Sequence, residues 1–131
     1  AVIDHLVTKE HVDLIATGGR YQPKTQTFIG AETVHTLRRH NINTAFVSCI
    51  GLDLDKGASE GFEDQALYKE TLMEQAEEVV MLVDSSKLDQ RSEYFFANLK
   101  DISLFITDSD ADPKFIASLR EKGCAVTIAQ L

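Results

Sequence analysis

With 131 residues, 44% of them hydrophobic, the chain can bury one core of ordinary size and has no room for a second. Its formal net charge of -8 repels polyphosphate, which excludes nucleic-acid binding by this stretch itself, because such affinity rests on Lys and Arg neutralising phosphates. Apolar runs such as residues 44–50 and 79–83 fall far short of the roughly 20 residues needed to cross a bilayer, so no membrane association is expected.

The opening residues 1–7 hold no Met, basic stretch or small-residue cleavage site, and read as the start of a fragment rather than as a signal peptide. Val2, Ile3, Leu6 and Val7 share one face at helical spacing, and a strand is predicted over 12–16, ending in Thr17-Gly18-Gly19-Arg20. After a polar stretch with Pro23, Gly30 opens a helix with Ala31, Val34 and Leu37 on one face, and Arg38-Arg39-His40 suits the negative end of its dipole. Residues 44–50 are almost wholly apolar, as in a strand buried on both faces of a parallel sheet, and they stop at Gly51-Leu52-Asp53. A polar loop with Gly57 and Gly61 leads into a helix over 62–78 and a strand over 79–83, which ends at Asp84-Ser85-Ser86-Lys87. A strand over 102–106 ends at Thr107-Asp108; Asp112 and Pro113 then open a helix that Gly123 closes before a strand at 125–129.

Strands alternating with helices predict an α/β fold: a mostly parallel sheet with helices on both faces, joined by right-handed crossovers. Ligands of such sheets bind beyond the carboxyl ends of the strands. Those ends carry Gly18-Gly19-Arg20, Gly51-Leu52-Asp53, Asp84-Ser85-Ser86-Lys87 and Thr107-Asp108.

Lys69 is the most informative position, because Phe62, Ala66, Lys69, Met73 and Ala76 define one face of a helix that is otherwise apolar. An ammonium there must snorkel out, meet a ligand phosphate or hydroxyl near the loop 53–61, or pair with a protein carboxylate. Lys87, with the serines before it, offers a cation and hydroxyls at a strand end, or else forms a solvated turn. Asp53 after Gly51 could accept hydrogen bonds from sugar hydroxyls and Gly57 could let the backbone approach a ligand; a plain turn is the alternative. Gly18, Gly19 and Arg20 could offer backbone donors and a guanidinium to an anion, but their spacing fits neither a dinucleotide fingerprint nor a P-loop, and a turn is favoured.

Asp108, Asp110 and Asp112 alternate like a calcium loop, but Pro113 stands where glycine is required and Leu119 where the bidentate Glu belongs. His5, His11, His35 and His40 lack metal-ligand spacing, and no nucleophile elbow is present, so no metal, cofactor or catalytic residue is implied. Cys49 and Cys124 suit a reducing cytosol better than a disulfide framework, which makes the expected location cytoplasmic.

Taken together, G-G-R-Y from Gly18, T-F-I-G ending at Gly30, G-L-D at Gly51 followed by Gly57, Lys69, D-S-S-K ending at Lys87 and I-T-D at Ile106 resemble the C-terminal sensor domain of DeoR-type transcriptional repressors. The resemblance runs along nearly the whole chain. It implies a fold similar to ribose-5-phosphate isomerase and the CoA transferases, a phosphorylated sugar as effector, Asp53 and Gly57 beside the sugar, and Lys69 and Lys87 as the nearby cations. It also implies that residues 1–131 are a single, N-terminally truncated effector-sensing domain. The family's Gly-Thr-rich phosphate loop, the strand before it and the winged helix-turn-helix that contacts operator DNA would then lie upstream. On this view the chain alone binds sugar phosphate weakly or not at all, and the whole protein is a homo-oligomer suited to palindromic operators.

Two other functions fit the same pattern. A sugar-phosphate isomerase of this architecture would use Asp53 or a neighbouring carboxylate as general base, although one carboxylate is thin for that chemistry. A scaffold acting only by oligomerisation would be marked by Lys69 paired to a protein carboxylate.

Overall fold

In the computed structural model, which describes residues 2–130, helix α1 (Val2–Leu6) is followed by the antiparallel hairpin β1 (Arg20–Gln22) and β2 (Thr27–Ile29) and by α2 (Ala31–Arg38). Next come β3 (Ile42–Val47), β4 (Gly51–Asp53), β5 (Gly57–Glu60), α3 (Glu63–Gln75) and β6 (Ala76–Leu82). The chain ends with β7 (Tyr94–Ala97), β8 (Leu104–Asp108), α4 (Pro113–Glu121) and β9 (Val126–Ala129). Four parallel strands in the order β3-β6-β8-β9 form the main sheet, and β4-β5-β7 form a separate antiparallel sheet. The α/β class, with a parallel sheet flanked by helices, is as the pattern predicts.

Register explains where the elements start. Ala76 pairs with Ile42 and Glu78 with Thr44, so the ladder claims residues 76–78, which periodicity alone assigns to the preceding helix. Phe62 becomes the exposed N-cap of α3 rather than a member of its buried stripe. Gln65 and Thr71 are buried there instead. The Gln65 amide donates to Thr27 Oγ1 at 2.6 Å, and the Thr71 hydroxyl donates to the Leu67 carbonyl at 2.9 Å. At α4 the local chemistry runs as read: Asp112 accepts the Lys114 N–H at 2.9 Å. Beyond its end, the N–H groups of Gly123 and Cys124 donate to the carbonyls of Arg120 and Leu119, a Schellman closure.

One face of the sheet presents Ala45, Val47, Val79, Met81 and Phe105 to Ala66 of α3 and to Phe115, Ile116 and Leu119 of α4. Burying Met81 or Phe105 there contributes about 1.5–3 kcal/mol each. The alternating residues Phe46 (65% exposed) and Leu82 (44%) stand on the other face, so β3 is not buried on both faces as its apolar run predicts. Residues 12–16 form no strand either. Their burial alternates, with Val12 and Leu14 half-buried and Asp13 and Ile15 exposed, but no described residue pairs with them. The predicted polar loop 53–61 is instead the hairpin of β4 and β5, whose Gly-Leu-Asp and Gly-Ala-Ser-Glu carry none of the β-branched residues that announce a strand.

Candidate functional site

The carboxyl ends of β6 and β8 are tied together by side-chain hydrogen bonds. The Asp108 carboxylate accepts the N–H of Ser85 at 2.7 Å and of Asp110 at 2.9 Å, which clamps the segment after β6 onto the end of β8. Asp84 accepts the N–H of Ser86 at 3.0 Å and also its hydroxyl. These bonds hold both carboxyls below the usual carboxylate range. Residues Ser85–Lys87 form a single 3-10 turn, and half-buried Lys87 at its end makes no ion pair among the described residues. Beside this turn lies a cavity of about 470 Å3 lined in part by Ser85, Asp110, Lys114 and Phe115, at the start of α4. At the end of β8, the buried hydroxyl of Thr107 lacks a hydrogen-bond partner among the described residues.

Lys69 takes the third course open to it. Its ammonium, 6% exposed, pairs with the equally buried carboxylate of Glu60 and donates to the Ser48 carbonyl at 2.6 Å. The Phe96 and Tyr68 rings flank it at 5.5 Å and 6.0 Å. Burial pushes the neighbouring Cys49 thiol up to about 12, despite the opposing charge of Lys69, so Cys49 stays a neutral thiol. Tyr68 is likewise pushed up to about 12 by burial and by Glu60. The bond to the Ser48 carbonyl sets the Lys69 ammonium just beyond the end of β3.

Asp53 is held by a different cation. Its carboxylate accepts Arg91 Nε at 2.8 Å and the N–H groups of Asp55 and Lys56 at 3.0 and 2.7 Å. The Arg91 hydrogen bond holds its carboxyl below the ordinary value, outweighing burial. Gly51 and Gly57 answer to packing: an added Cβ would meet the Gln90 carbonyl at 2.7 Å and the Ala97 carbonyl at 2.0 Å. Gly18 and Gly19 dock the chain on α2, where Thr33 Oγ1 donates to the Gly18 carbonyl at 2.7 Å and Thr36 Oγ1 to the Thr17 carbonyl at 2.8 Å. Arg20 points outward, 75% exposed, with Asp64 at 3.5 Å. Glu60 and Arg91, the partners of Lys69 and Asp53, were missed because neither stands on a periodic stripe or in a motif.

The depressed carboxyls set an acid limit. Asp53, Asp84 and Asp108 add stability above their unfolded values near 3.8 and lose it as pH falls through their lower folded values. Urea midpoints are expected to hold between pH 7 and 5 and to drop steeply below 4. Asp53→Asn should flatten part of that drop; an unchanged profile would remove Asp53 from the account.

Residues 1–109 match the family described as the DeoR C terminal sensor domain. The chain belongs to this family. Among relatives of this DeoR sensor domain, the HTH-type transcriptional regulator YulB of Bacillus subtilis is 36% identical over 126 residues, 96% of the chain and 49% of YulB. The L-fucose operon activator of Haemophilus influenzae is 36% identical over 106 residues, 81% of the chain and 43% of the activator. The HTH-type transcriptional repressor GlcR of Bacillus subtilis is 26% identical over 127 residues, 97% of the chain and 49% of GlcR. The DeoR sensor domain thus spans about half the length of these relatives, which are named as a transcriptional regulator, an operon activator and a transcriptional repressor. Among its described residues no helix is long and apolar enough to cross a membrane.

Proposed function

We propose that this sensor domain binds a phosphorylated sugar at the strand ends around Lys87 and, in a longer cytoplasmic, homo-oligomeric regulator, releases a helix-turn-helix module from the operators of sugar-metabolism genes. The observation that carries the reading is the turn Ser85–Lys87: clamped by Asp108, it holds Lys87 half-buried without an ion pair among the described residues, while Ser85 of the same turn lines a cavity of about 470 Å3 together with Lys114 and the carboxylates of Asp89, Asp110 and Asp112. That volume lies within the range of small-ligand sites. Lys114 and the unpaired Thr107 hydroxyl add a second cation and an unmet hydrogen-bond demand at the same end of the sheet. Operator contact would fall to another part of the polypeptide, since a net charge of -8 repels phosphates. Effector and DNA would then be linked by reciprocal coupling.

Catalysis is not part of the proposal. A general base for isomerisation needs a free, moderately basic carboxylate, whereas Asp53 spends its lone pairs on Arg91 and two backbone N–H groups. The Lys69–Glu60 pair is the feature a purely oligomerising scaffold would also show, but such a scaffold has no use for a clamped turn that leaves Lys87 without an ion pair among the described residues.

The test is a thermal-shift panel of sugar phosphates on the full-length protein. At a hundredfold excess over Kd, binding stabilises the folded state by about 2.7 kcal/mol, a rise of several degrees. Lys87→Ala should abolish that rise while leaving the unliganded melting temperature within a degree or two. A panel in which no sugar phosphate raises the melting temperature would sink the proposal. The 131-residue chain alone is expected to show weak binding or none, and micromolar affinity by calorimetry would overturn that expectation.

A further inference from the structure

Three adjoining cavities lie along one side of α3 and share lining residues, and together they outline a groove. Glu70 lines all three, of about 550, 500 and 190 Å3, while Phe95 and Phe96 each line two. The last of them is lined by the consecutive residues Phe95, Phe96, Ala97 and Asn98. Ser59 pairs with Phe95 and Ala58 with Ala97, so Phe96 is an extra residue in β7 and the alternation of side chains is broken where the groove meets the strand. In its sheet β7 is hydrogen-bonded to β5 alone, which leaves its outer backbone edge without a ladder among the described residues.

The groove has a definite charge. Glu63, Asp64, Glu70, Glu74, Glu93 and Asp101 line it; Lys56 is the one cation among the lining residues, and Arg20 meets Asp64 from outside at 3.5 Å. Between these carboxylates the apolar surfaces of Leu67, Tyr94 and Phe95 are exposed. Glu63, Leu67, Glu70 and Glu74 stand at spacings of four, three and four, which places them on one side of α3.

We propose that this groove binds an extended, cationic segment of a partner polypeptide, which adds to the edge of β7 as a further strand. Backbone hydrogen bonds to β7 would supply the pairing, Lys or Arg side chains would meet the carboxylates, and alternating apolar side chains would cover Leu67 and Phe95. A second copy of this chain is a poor occupant. It carries the same acidic rim and a net charge of -8, so pairing two β7 edges sets like charges against each other. Nucleic acid is repelled for the same reason.

Fluorescence anisotropy with a labelled octapeptide alternating lysine and valine tests the proposal. Binding is expected at low salt, at least tenfold weaker in Glu70→Lys/Glu93→Lys and unaffected by Glu10→Lys/Glu121→Lys, which makes the same charge change elsewhere on the exposed surface. Circular dichroism checks that both variants are folded. Two further peptides carry N-methyl groups on one or the other set of alternate amides. Only one set faces β7, so their affinities should differ at least tenfold. Equal affinities would overturn strand addition. Equal binding of a glutamate-valine octapeptide, or equal weakening by the two double variants, would overturn the assignment to this groove. A self-associated chain whose dimer the peptide dissociates, read by sedimentation equilibrium, would give the groove to a second copy and overturn the proposal as well.

Discussion

Replacing Glu60 by alanine is expected to destabilise the chain by about 3–5 kcal/mol at pH 7, among the largest effects of any polar substitution in it. The magnitude comes from the partner left behind. Lys69 is 6% exposed, and without Glu60 its ammonium keeps only the Ser48 carbonyl and the faces of two aromatic rings. Those contacts do not replace the hydration lost on burial. Lys69→Met strands the opposite charge and should cost a similar amount. The double variant Glu60→Leu/Lys69→Met removes both charges, and it should recover most of the loss, because a buried pair is often no more stabilising than apolar groups of similar volume. Urea denaturation of the four proteins checks these expectations. A loss below about 1 kcal/mol for Glu60→Ala would mean that water reaches the pair, and the buried geometry would be wrong. The pair also constrains the functional proposal: an effector that touches Lys69 must draw the ammonium away from Glu60, so its binding energy is reduced by whatever holds the pair together.

The elements legible in the sequence were those whose signal is local. Asp112, Pro113 and Gly123 bound α4 because capping chemistry is written in adjacent residues. The parallel strands announced themselves as short apolar runs between polar stretches, since each must cross the core. The antiparallel sheet was not legible. Its strands β4 and β5 are three and four residues long, and what holds them is close backbone approach, with Gly57 set against Ala97 forty residues away. The exposed side of Phe46 was equally hidden, because hydrophobicity reports that a residue seeks cover and not whether the described chain provides it. At the site, the periodic stripe on α3 marked Lys69 as constrained, yet the identity of its partner lay in tertiary contact alone. Asp84-Ser85-Ser86-Lys87 was legible as a strand end, whereas the clamp by Asp108 that fixes it needed the register of β6 against β8.

Gly57→Ala is expected to lower stability by about 2–5 kcal/mol, the sum of a left-handed backbone penalty of about 1–2 and an overpacking penalty of about 1–3. Gly57 has φ +87, and its added Cβ would lie 2.0 Å from the Ala97 carbonyl oxygen, a backbone atom of β7 that cannot swing aside as a side chain would. A matched control separates the two contributions. Gly123 has φ +88 with open space around its missing Cβ, so Gly123→Ala should pay the backbone penalty alone, about 1–2 kcal/mol. Chemical denaturation of both variants gives the difference directly. A gap of at least about 1 kcal/mol assigns Gly57 to the fit between β5 and β7. If the two substitutions cost the same, the strands absorb the methyl group, packing no longer accounts for this glycine, and its place beside a bound sugar becomes the better explanation. The same pair of variants tests the groove, because a Gly57→Ala chain that folds must push β7 outward and should lose affinity for the lysine-valine octapeptide, whereas Gly123→Ala should leave that affinity unchanged.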